Sequence, residues 1–318
     1  MVRSSRTGTW FQSPRAYDFF ASLPLLFTPF VVAIRDDKPS LRGVCVGYVT
    51  REKKAFRQFF TRRAIILGGP CLADDATSEE VEALMNAVKD TLYHTPYTIH
   101  PIYIETRNFN DFSPWRLAFE KAGFAYKKHL NFHVTTEGFE ERLSDNRKRQ
   151  VRKAKELVIC ELATSEADIT EWYKVLAKLY KTKVKTPLFP VEFFLEAYRQ
   201  KMAKFLFVKQ AGRVIGGSMV AKDDKCIYEW FECGLNTEFK DQYPSVMATY
   251  SGIQYAQQQG CSRYDMMGAG EPGVPYGVRN FKAEFGGQLV EHGRFLCVCK
   301  PGLYRLGALC VRILKWGA

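Results

Sequence analysis

Two adjoining segments near the C-terminal end of the sequence combine residue types that suit a group-transfer site. Residues 268–277 hold four glycines and two prolines in ten positions, and the pair Phe281-Lys282 follows shortly after. Glycine lets a backbone approach a ligand closely, so a structured loop here could hold a substrate. A lysine fixed beside that loop could neutralise a phosphate or a developing oxyanion. Lys282 is therefore the candidate catalytic cation, and Tyr276 and Arg279 are candidate substrate contacts; a solvated surface lysine is the alternative.

Acid–base chemistry at such a site would need a carboxylate, and four are candidates. Asp265 lies where a predicted strand enters the glycine-rich loop, and we select it as the catalytic acid or base. Its alternative role is simply to hold the loop in place. The spacing of the residues shows no Ser-His-Asp or Cys-His pairing, and no GKS or GKT sequence that would make the loop a P-loop. The other three carboxylates are those of Glu229, Glu232 and Glu271.

The cysteines and histidines form no pattern for a metal site. Nine cysteines, an odd number, are scattered without a CxxC pair. The five histidines include His129 and His133, which are four apart but lie in a predicted strand. We therefore expect buried free thiols in a reducing cytoplasm, with no metal and no bound cofactor.

A strongly basic segment opens the second half of the chain. Seven Lys or Arg residues occupy the fourteen positions 142–155, within a predicted helix. Because they cannot all lie on one face of a helix, both of its sides are charged. The plain interpretation is a solvated helix. The functional interpretation is contact with phosphates, with Arg149, Arg152 and Lys153 as nucleic-acid-binding candidates.

Composition places the chain among globular proteins with an anionic partner. Its 318 residues suggest two domains, and 46 Lys and Arg against 34 Asp and Glu give a formal charge of +12. A hydrophobic content of 46% and a charged content of 25% exclude a mostly disordered chain or a disulfide miniprotein. No run approaches the roughly 18 apolar residues of a membrane span. The residues before Trp10 lack the core of a signal peptide, so we expect a cytoplasmic protein.

The elements predicted around the candidate residues occur twice along the chain. Each half shows a meander of strands, then a helix, a strand, a helix and a strand. In the first half a capping box of Thr77 and Glu80 begins the main helix, and in the second Ser245 begins the corresponding one. We predict two related α/β (α+β) lobes, each a mixed twisted sheet flanked by helices, at residues 1–137 and 138–299.

Six short motifs follow one another along the chain. They are Trp10-Phe11-Gln12-Ser13, Leu143-x3-Arg147-x4-Arg152-Lys153-Ala154, Ile215-Gly216-Gly217-Ser218, Tyr243-Pro244-Ser245, Tyr264-Asp265-Met266-Met267-Gly268-Ala269-Gly270 and Phe281-Lys282-x2-Phe285-Gly286-Gly287. In this order the sequence resembles the FemABX family of peptidoglycan-bridge aminoacyltransferases and their bacterial relatives. The resemblance covers nearly the whole chain and is strongest from Arg213 to Gly287. Each motif is loose alone, and the set is specific for the superfamily rather than for a substrate.

The resemblance implies two tandem GNAT-like lobes, the first of them completed by a C-terminal helix at residues 300–318. It implies transfer of an aminoacyl group from aminoacyl-tRNA, the co-substrate, to an amine of a UDP- or lipid-linked cell-wall precursor. The family's Phe-Lys pair lies at the site of the acceptor and the tRNA end, and it carries over to Phe281 and Lys282. Lys185 and Phe189 stand where the family pattern has an Arg and a Tyr that grip precursor phosphates.

Two other functions remain open. One is an acyl-CoA-dependent N-acyltransferase of a cell-surface polysaccharide or a small amine, which would hold the pyrophosphate of acetyl-CoA on N–H groups at a helix N-terminus. The matching turn, residues 240–248, has no glycine, and Pro244 removes one N–H. Tyr243 of the same turn is a further candidate substrate contact. The other function is a non-catalytic tRNA- or membrane-binding module, with residues 303–316 lying on an anionic bilayer at the inner face of the membrane.

Overall fold

A seven-stranded sheet forms the centre of each of two units in the computed structural model. Unit 1 comprises Met1–His129 and Glu291–Ala318, and unit 2 comprises Leu130–Val290. The structure describes residues 1–36, 40–51, 61–94 and 100–316. Within these ranges, no helix is long and apolar enough to cross a membrane.

The strands and helices of the described residues have the following bounds. The strands are β1 (Phe27–Arg35), β2 (Leu41–Thr50), β3 (Arg63–Gly68), β4 (Cys71–Leu72), β5 (Tyr103–Asn108), β6 (Ala125–Lys127), β7 (Leu130–Thr135), β8 (Ile159–Leu162), β9 (Ala203–Gln210), β10 (Arg213–Lys222), β11 (Cys226–Gly234), β12 (Arg263–Gly268), β13 (Gln288–Glu291) and β14 (Arg294–Val298). The helices are α1 (Pro14–Ala21), α2 (Ser78–His94), α3 (Arg116–Lys121), α4 (Phe139–Arg142), α5 (Asp145–Lys155), α6 (Glu166–Leu179), α7 (Val191–Arg199), α8 (Pro244–Gln258), α9 (Gly277–Ala283) and α10 (Pro301–Trp316).

The sheet of unit 1 contains one parallel neighbour pair that a helix connects. Its strand order is β1-β2-β3-β5-β14-β6, with β4 paired to β2, and β3 and β5 run parallel. A parallel pair needs a crossover connection, which includes α2. The predicted capping box begins this helix, since the Glu80 N–H donates to Thr77 Oγ1 at 3.2 Å and the Thr77 N–H to Glu80 Oε2 at 2.8 Å. Val81, Leu84 and Met85 of α2 are buried in the core of the unit.

Unit 2 repeats this plan. Its strand order is β13-β7-β12-β11-β10-β9-β8, and here β11 and β12 run parallel while β12/β7, β10/β11, β9/β10 and β8/β9 are antiparallel. The crossover between β11 and β12 is α8, whose residues from Pro244 to Ile253 are buried. The predicted fold class, two mixed sheets flanked by helices, is therefore confirmed.

Two long strands predicted from the sequence each divide between the units. The alternation of apolar and polar residues predicts one strand over 124–135, and a second long strand is predicted over 288–298. The structure separates the first into β6 and β7 and the second into β13 and β14. Because β14 pairs with β5 and β6, whereas β7 pairs with β12, each pair of segments is shared out between the two sheets. The units consequently divide after His129 and after Val290, which corrects the expected boundaries at 137 and 299. The pairing of strands that are distant in the sequence decides where the units divide, and the local sequence pattern does not reveal that pairing. Residues 317–318 of the expected C-terminal helix lie outside the described residues.

Substitution of Gly286, which follows α9, tests how tightly unit 2 is packed at that position. It has a φ of +71°, and an added Cβ would lie 2.3 Å from the Arg142 carbonyl oxygen. Gly260 has a φ of +70° but no atom within 4 Å of that position, so it is a matched control. Gly260→Ala should lower the free energy of unfolding by about 1 kcal/mol, the strain of a left-handed alanine. Gly286→Ala should lower it by about 1–3 kcal/mol more, because backbone must also move. Urea denaturation measures both values, and equal losses would contradict this packing.

Candidate active site in unit 2

Lys282 lies where the two parallel strands of unit 2 separate. The pairing of β11 with β12 ends at Tyr228 and Asp265. Beyond that point the Lys282 ammonium donates to the Met266 carbonyl and, at 2.8 Å, to the Gly268 carbonyl. The side chain thus replaces strand partners for the last carbonyls of β12. Lys282 is only 8% exposed, and burial lowers its pKa against the opposing effect of nearby carboxylates. The alternative of a solvated surface lysine is wrong.

A β-bulge places two acidic residues of β11 on one face of the sheet. Val220 pairs with Glu229 and Ser218 with Glu232, and the pairing skips Trp230. In a regular strand, residues three apart point to opposite faces. The extra residue of a bulge reverses that alternation. Glu229 and Glu232 therefore share a face.

Glu229 is anchored between the sheet and α8. Its Oε1 accepts hydrogen bonds from Thr249 Oγ1 and from the Tyr264 hydroxyl, both at 2.9 Å. Burial raises the pKa of Glu229, although the charge of Lys282 acts in the opposite direction. The residue is therefore a fixed, partnered acid close to the lysine.

Glu232 has a different environment. Its Oε1 is buried and makes no hydrogen bond to any residue that the structure describes, while the residue as a whole is partly exposed. Burial, followed by the charge of Glu229, raises its pKa to about 8, against the effects of Ser245 and Lys282. A carboxylate that titrates near neutral pH can both take up and return a proton. Among the four carboxylates considered from the sequence, Glu232 therefore has the properties of a general base.

Asp265 is completely buried, and its contacts are structural. Its Oδ1 accepts a hydrogen bond from the Met267 N–H at 2.7 Å, and its Oδ2 lies 3.2 Å from His133 Nε2. Burial alone would raise the pKa of Asp265, but His133 and then Arg263 hold it below its usual value. Met267 has a φ of +60°, where the pairing of β12 with β7 becomes irregular. These contacts favour a positioning role, and the catalytic role of Asp265 stays a prediction.

Arg147 fixes α9 against α5, which the sequence did not reveal. Its guanidinium carbon lies 4.7 Å from the centre of the Phe281 ring and 4.6 Å from that of Phe285. Its Nη2 donates to the Phe281 carbonyl at 3.2 Å and lies 3.5 Å from Glu284 Oε2. Arg147 is 3% exposed, so this member of the basic segment packs inward and orients the helix that carries Lys282. Phe281 itself is partly exposed beside it.

Arg279 holds the glycine-rich loop in shape. Its Nε donates to the Ala269 carbonyl at 2.9 Å, its Nη1 to that of Val274 at 3.1 Å and its Nη2 to that of Glu271 at 2.5 Å. All three guanidinium nitrogens therefore bond to loop carbonyls, which favours positioning over direct substrate contact. Tyr276, immediately before α9, is 43% exposed.

The residues expected to grip the precursor lie on the segment between α6 and α7 and before α8. The Phe189 ring stacks on Phe193 with the centroids 4.5 Å apart, and it lies 6.4 Å from the ring of Phe231, the neighbour of Glu232 in the sequence. Lys185 is exposed and has a φ of +54°. Tyr243 precedes α8 in a left-handed conformation and is partly buried against the core. Because neighbouring residues of a strand point to opposite faces, Phe231, and Phe189 with it, lie on the face of the sheet opposite to Glu232. Binding by these three residues stays a prediction.

The basic helix α5 carries its predicted nucleic-acid contacts on the solvent side. Arg149, Arg152 and Lys153 are exposed, whereas Val151 and Ala154 are buried. Lys153 Nζ lies 2.7 Å from Asp241 Oδ1, and this contact raises the lysine pKa. The helix therefore presents a cationic surface in the same unit as Lys282, and its binding of nucleic acid remains a prediction.

The N-terminus of α8 is already occupied by groups of the protein. Pro244 is its first residue and has no N–H, and the Ser245 N–H donates to Asn236 Oδ1 at 3.1 Å. Asn236 Nδ2 in turn donates to Ser245 Oγ at 2.8 Å. A Cβ at Gly234 would lie 2.5 Å from the Ser245 nitrogen, so the backbone of β11 also packs closely there. Few N–H groups remain for a pyrophosphate at this helix.

Among the described residues, no group of three or more His, Cys, Asp or Glu could hold a metal ion. The cysteines described there are free, and those at positions 45, 71, 226, 233 and 261 are buried.

The raised pKa of Glu232 predicts a pH dependence of stability. Its native pKa of about 8 lies above the ordinary value of 4.5, so the folded state holds the proton more tightly than the unfolded state. The stability gained from this proton is complete below pH 4.5 and is lost as the pH rises to about 8. Glu232→Gln should therefore flatten the fall in unfolding free energy between these values. Denaturant titrations across the range measure it, with Glu171→Gln on the exposed side of α6 as control. Parallel curves for wild type and Glu232→Gln would contradict the assignment.

Comparison with known proteins agrees with the architecture of both units. Residues 142–282 match the family described as an acetyltransferase (GNAT) domain. The crystal structure of FemX superposes with a TM-score of 0.72 at 14% identity, over 96% of each chain. A tandem GNAT protein from the clavulanic acid biosynthesis pathway gives a TM-score of 0.55 at 8% identity, over 85% of this chain and 83% of that one.

A third structure also covers both units. It is the C-terminal domain (DUF2156) of a putative lysylphosphatidylglycerol synthetase from Agrobacterium fabrum, with a TM-score of 0.54 at 12% identity over 89% of each chain. No curated protein matches the sequence significantly. The fold that the sequence motifs implied is confirmed, and so is the expectation of an acyltransferase. The chain has a FemX-like tandem GNAT fold, and residues 142–282, within its second unit, are similar to acetyltransferase (GNAT) domains.

Proposed function

We propose that this acyltransferase moves an aminoacyl group from aminoacyl-tRNA to an amine of a UDP- or lipid-linked peptidoglycan precursor. The observation that carries the proposal is the buried Lys282 beside Glu232, where β11 and β12 separate. This arrangement supplies a cation for a developing oxyanion and a base for an amine within one site. The structural likeness to FemX supports the same reaction class.

The reaction forms one bond and breaks one bond. The amine nitrogen attacks the carbonyl carbon of the ester that joins the amino acid to the ribose of the tRNA. A C–N bond forms while the carbonyl oxygen takes up negative charge, and the C–O bond to the ribose then breaks. The amine gives up a proton, and the ribose oxygen receives one.

Lys282 is placed to stabilise the negative charge. An ammonium group has three N–H donors. Two of them bond to the Met266 and Gly268 carbonyls, which fix the direction of the third. A donor that is fixed before the reaction needs no reorganisation when the oxyanion forms.

Glu232 is the proposed proton acceptor. A lysine-type amine has a pKa of about 10.4, so it must be deprotonated before it attacks. The unpartnered Oε1 of Glu232 and its pKa of about 8 suit both removal of that proton and its delivery to the ribose oxygen. Asp265 is the weaker candidate because its carboxylate is completely buried against Met267 and His133.

Two features support an aminoacyl-tRNA as the donor. The N-terminus of α8 is capped by Asn236, which disfavours the pyrophosphate of a CoA thioester. The exposed cations Arg149, Arg152 and Lys153 of α5 suit a polyanion, since phosphate contacts dominate the affinity for nucleic acids. The A. fabrum protein of similar fold is named as a putative lysylphosphatidylglycerol synthetase, a name that combines an amino acid with a phospholipid.

The acceptor would be held by the aromatic side of the site. Phe281 and the exposed Tyr276 offer ring surfaces, and the segment that carries Lys185 and Phe189 offers a charge for precursor phosphates. This assignment places the protein in the cytoplasm, at the inner face of the membrane when the precursor is lipid-linked. The proposed binding of the acceptor does not depend on the oligomeric state of the protein.

Acyl-CoA-dependent N-acyltransfer to a polysaccharide or small amine is the second candidate function. The match of residues 142–282 to an acetyltransferase domain favours it. The same Lys282 and Glu232 would serve, because a thioester and an ester both develop an oxyanion. The two candidate functions therefore differ in the acyl donor, which is aminoacyl-tRNA in the first and acyl-CoA in the second.

A transfer assay with purified full-length protein tests the proposed function. Radiolabelled aminoacyl-tRNAs, covering all amino acids, are incubated with a UDP-linked stem peptide, and a parallel reaction contains acetyl-CoA. We expect label to reach the peptide from one class of aminoacyl-tRNA. Lys282→Met should lower kcat by about 10²–10³-fold, the usual effect of losing one oxyanion donor. The exposed Lys225→Ala is the control.

Turnover with acetyl-CoA alone would replace the proposal with the second candidate. Activity of Lys282→Met close to that of the wild type, with the fold intact by circular dichroism, would remove Lys282 from the mechanism.

The pH–rate profile separates the two candidate bases. Glu232→Gln should lower kcat by about 10²–10⁴-fold and abolish the limb of the profile that rises towards pH 8, because the general base is lost. Asp265→Asn should instead lower stability and leave that limb in place. The opposite pattern, with the limb lost only in Asp265→Asn, would return the catalytic role to Asp265.

A further inference from the structure

One face of the unit 1 sheet carries a cluster of arginine and tyrosine side chains that the proposed function does not use. Along β5 the residues Ile104, Thr106 and Asn108 are buried, and the alternating residues are more exposed. We name the second set and its neighbours the arginine face. Its members are Tyr48 of β2, Arg63 of β3, Tyr103, Glu105 and Arg107 of β5, Arg294 of β14 and Tyr304 of α10.

The register of β3, β5 and β14 places the charged residues of the arginine face near one another. Arg63 pairs with Tyr103 across the parallel β3/β5 pair, and Arg107 pairs with Arg294 across the antiparallel β5/β14 pair. Glu105 lies between them on the same side of β5. Two guanidinium groups, those of Arg107 and Arg294, thus pair with the Glu105 carboxylate, and Arg63 lies on the neighbouring strand β3.

Glu105 is the carboxylate that holds the cluster together. Its Oε2 accepts from Arg107 Nε at 2.8 Å and its Oε1 from Arg294 Nη1 at 3.0 Å. Arg294 Nη2 lies 3.0 Å from His129 Nε2, so both Nη atoms of this arginine contact groups of the face. Burial alone would raise the pKa of Glu105, but Arg107 and Arg294 hold it below its usual value, which keeps the carboxylate charged.

Arg107 and Arg63 retain donors that no group of the described residues uses. Arg107 bonds to Glu105 through Nε, and neither of its Nη atoms makes a hydrogen bond to a residue that the structure describes. The Arg107 side chain is 33% exposed. The side chain of Arg63 likewise makes no hydrogen bond or ion pair within the described ranges. Glu105 therefore orients the Arg107 guanidinium so that its two Nη atoms point away from the Glu105 carboxylate.

Tyrosines border these free donors. The Tyr48 ring packs against Phe20 and Phe27, and its hydroxyl interacts electrostatically with Arg63 and Arg107. The ring centres of Tyr103 and Tyr304 lie 5.6 Å apart in an edge-to-face contact. None of the three hydroxyls makes a hydrogen bond to a described residue. The face thus combines unused guanidinium and hydroxyl donors.

The charge of the cluster indicates its ligand. Three arginines and one glutamate leave a net charge of +2 with His129 neutral. Buried or half-buried like charges are costly without a counter-charge, and planar guanidinium forks match phosphate oxygens in geometry. We propose that the arginine face of unit 1 binds a dianionic phosphate or diphosphate group through Arg63, Arg107 and the tyrosine hydroxyls.

This site is independent of the proposed function, because every residue in it belongs to unit 1 and none takes part in the acyl transfer described for unit 2. The phosphate could belong to a soluble nucleotide or to a lipid headgroup. Both sources present the same oxygens, so the experiment must separate them.

Calorimetric titration of the full-length protein tests the proposal with inorganic pyrophosphate, with UDP and with vesicles containing phosphatidylglycerol. Arg63→Gln and Arg107→Gln should each weaken binding of pyrophosphate about tenfold or more, the effect of losing one charge-assisted hydrogen bond. Arg116→Gln is the matched control, since Arg116 has a 52% exposed side chain and pairs with Glu120 on α3. Lys282→Met should bind pyrophosphate like the wild type.

The outcomes divide cleanly. Binding that depends on Arg63 and Arg107 but not on Arg116 supports the site, and tighter binding of UDP or of vesicles identifies the source. Equal binding by wild type, Arg63→Gln and Arg107→Gln overturns the proposal. The Arg63 side chain makes no hydrogen bond or ion pair with a described residue, so its variant remains informative if Arg107→Gln folds poorly.

Discussion

The ammonium of Lys282 bonded to two carbonyls at the end of β12 is the interaction on which the candidate site depends. Two parallel strands that separate leave backbone carbonyls without partners, and buried carbonyls must be paired. Lys282 satisfies those of Met266 and Gly268 and is itself held in a buried position that a lysine otherwise avoids. One contact therefore completes the sheet and fixes a cation where acyl chemistry needs one.

The surrounding residues support this contact rather than compete with it. Arg147 lies between Phe281 and Phe285 and positions the helix that carries Lys282. Arg279 bonds to the carbonyls of the glycine-rich loop, and Asp265 stabilises the distorted end of β12. Among the described acids of the site, Glu232 Oε1 and Asp265 Oδ2 are buried without a hydrogen bond, and Asp265 Oδ2 lies 3.2 Å from His133 Nε2.

The two units share a plan but carry different polar groups. Each contains a parallel strand pair with a helix in its crossover, β3/β5 with α2 and β11/β12 with α8. In unit 2 the residues beyond the parallel pair are acids and a lysine. In unit 1 the corresponding sheet carries Glu105 ion-paired with Arg107 and Arg294, with Arg63 on the neighbouring strand. A repeated fold thus supports two chemically different sites, since function belongs to the residues placed on a fold.

The sequence by itself determined the repeat of strands and helices, the capping box at Thr77 and Glu80, the basic helix α5 and the position of Lys282 after a glycine-rich loop. These features rest on local spacing, which a sequence records directly. The tertiary structure alone decided that β6/β7 and β13/β14 divide between the units, that Arg147 packs inward and that Asp265 is buried. It also decided that the bulge at Trp230 brings Glu229 and Glu232 to one face. Pairing between distant strands sets all of these, and no local pattern encodes which strand will lie beside which.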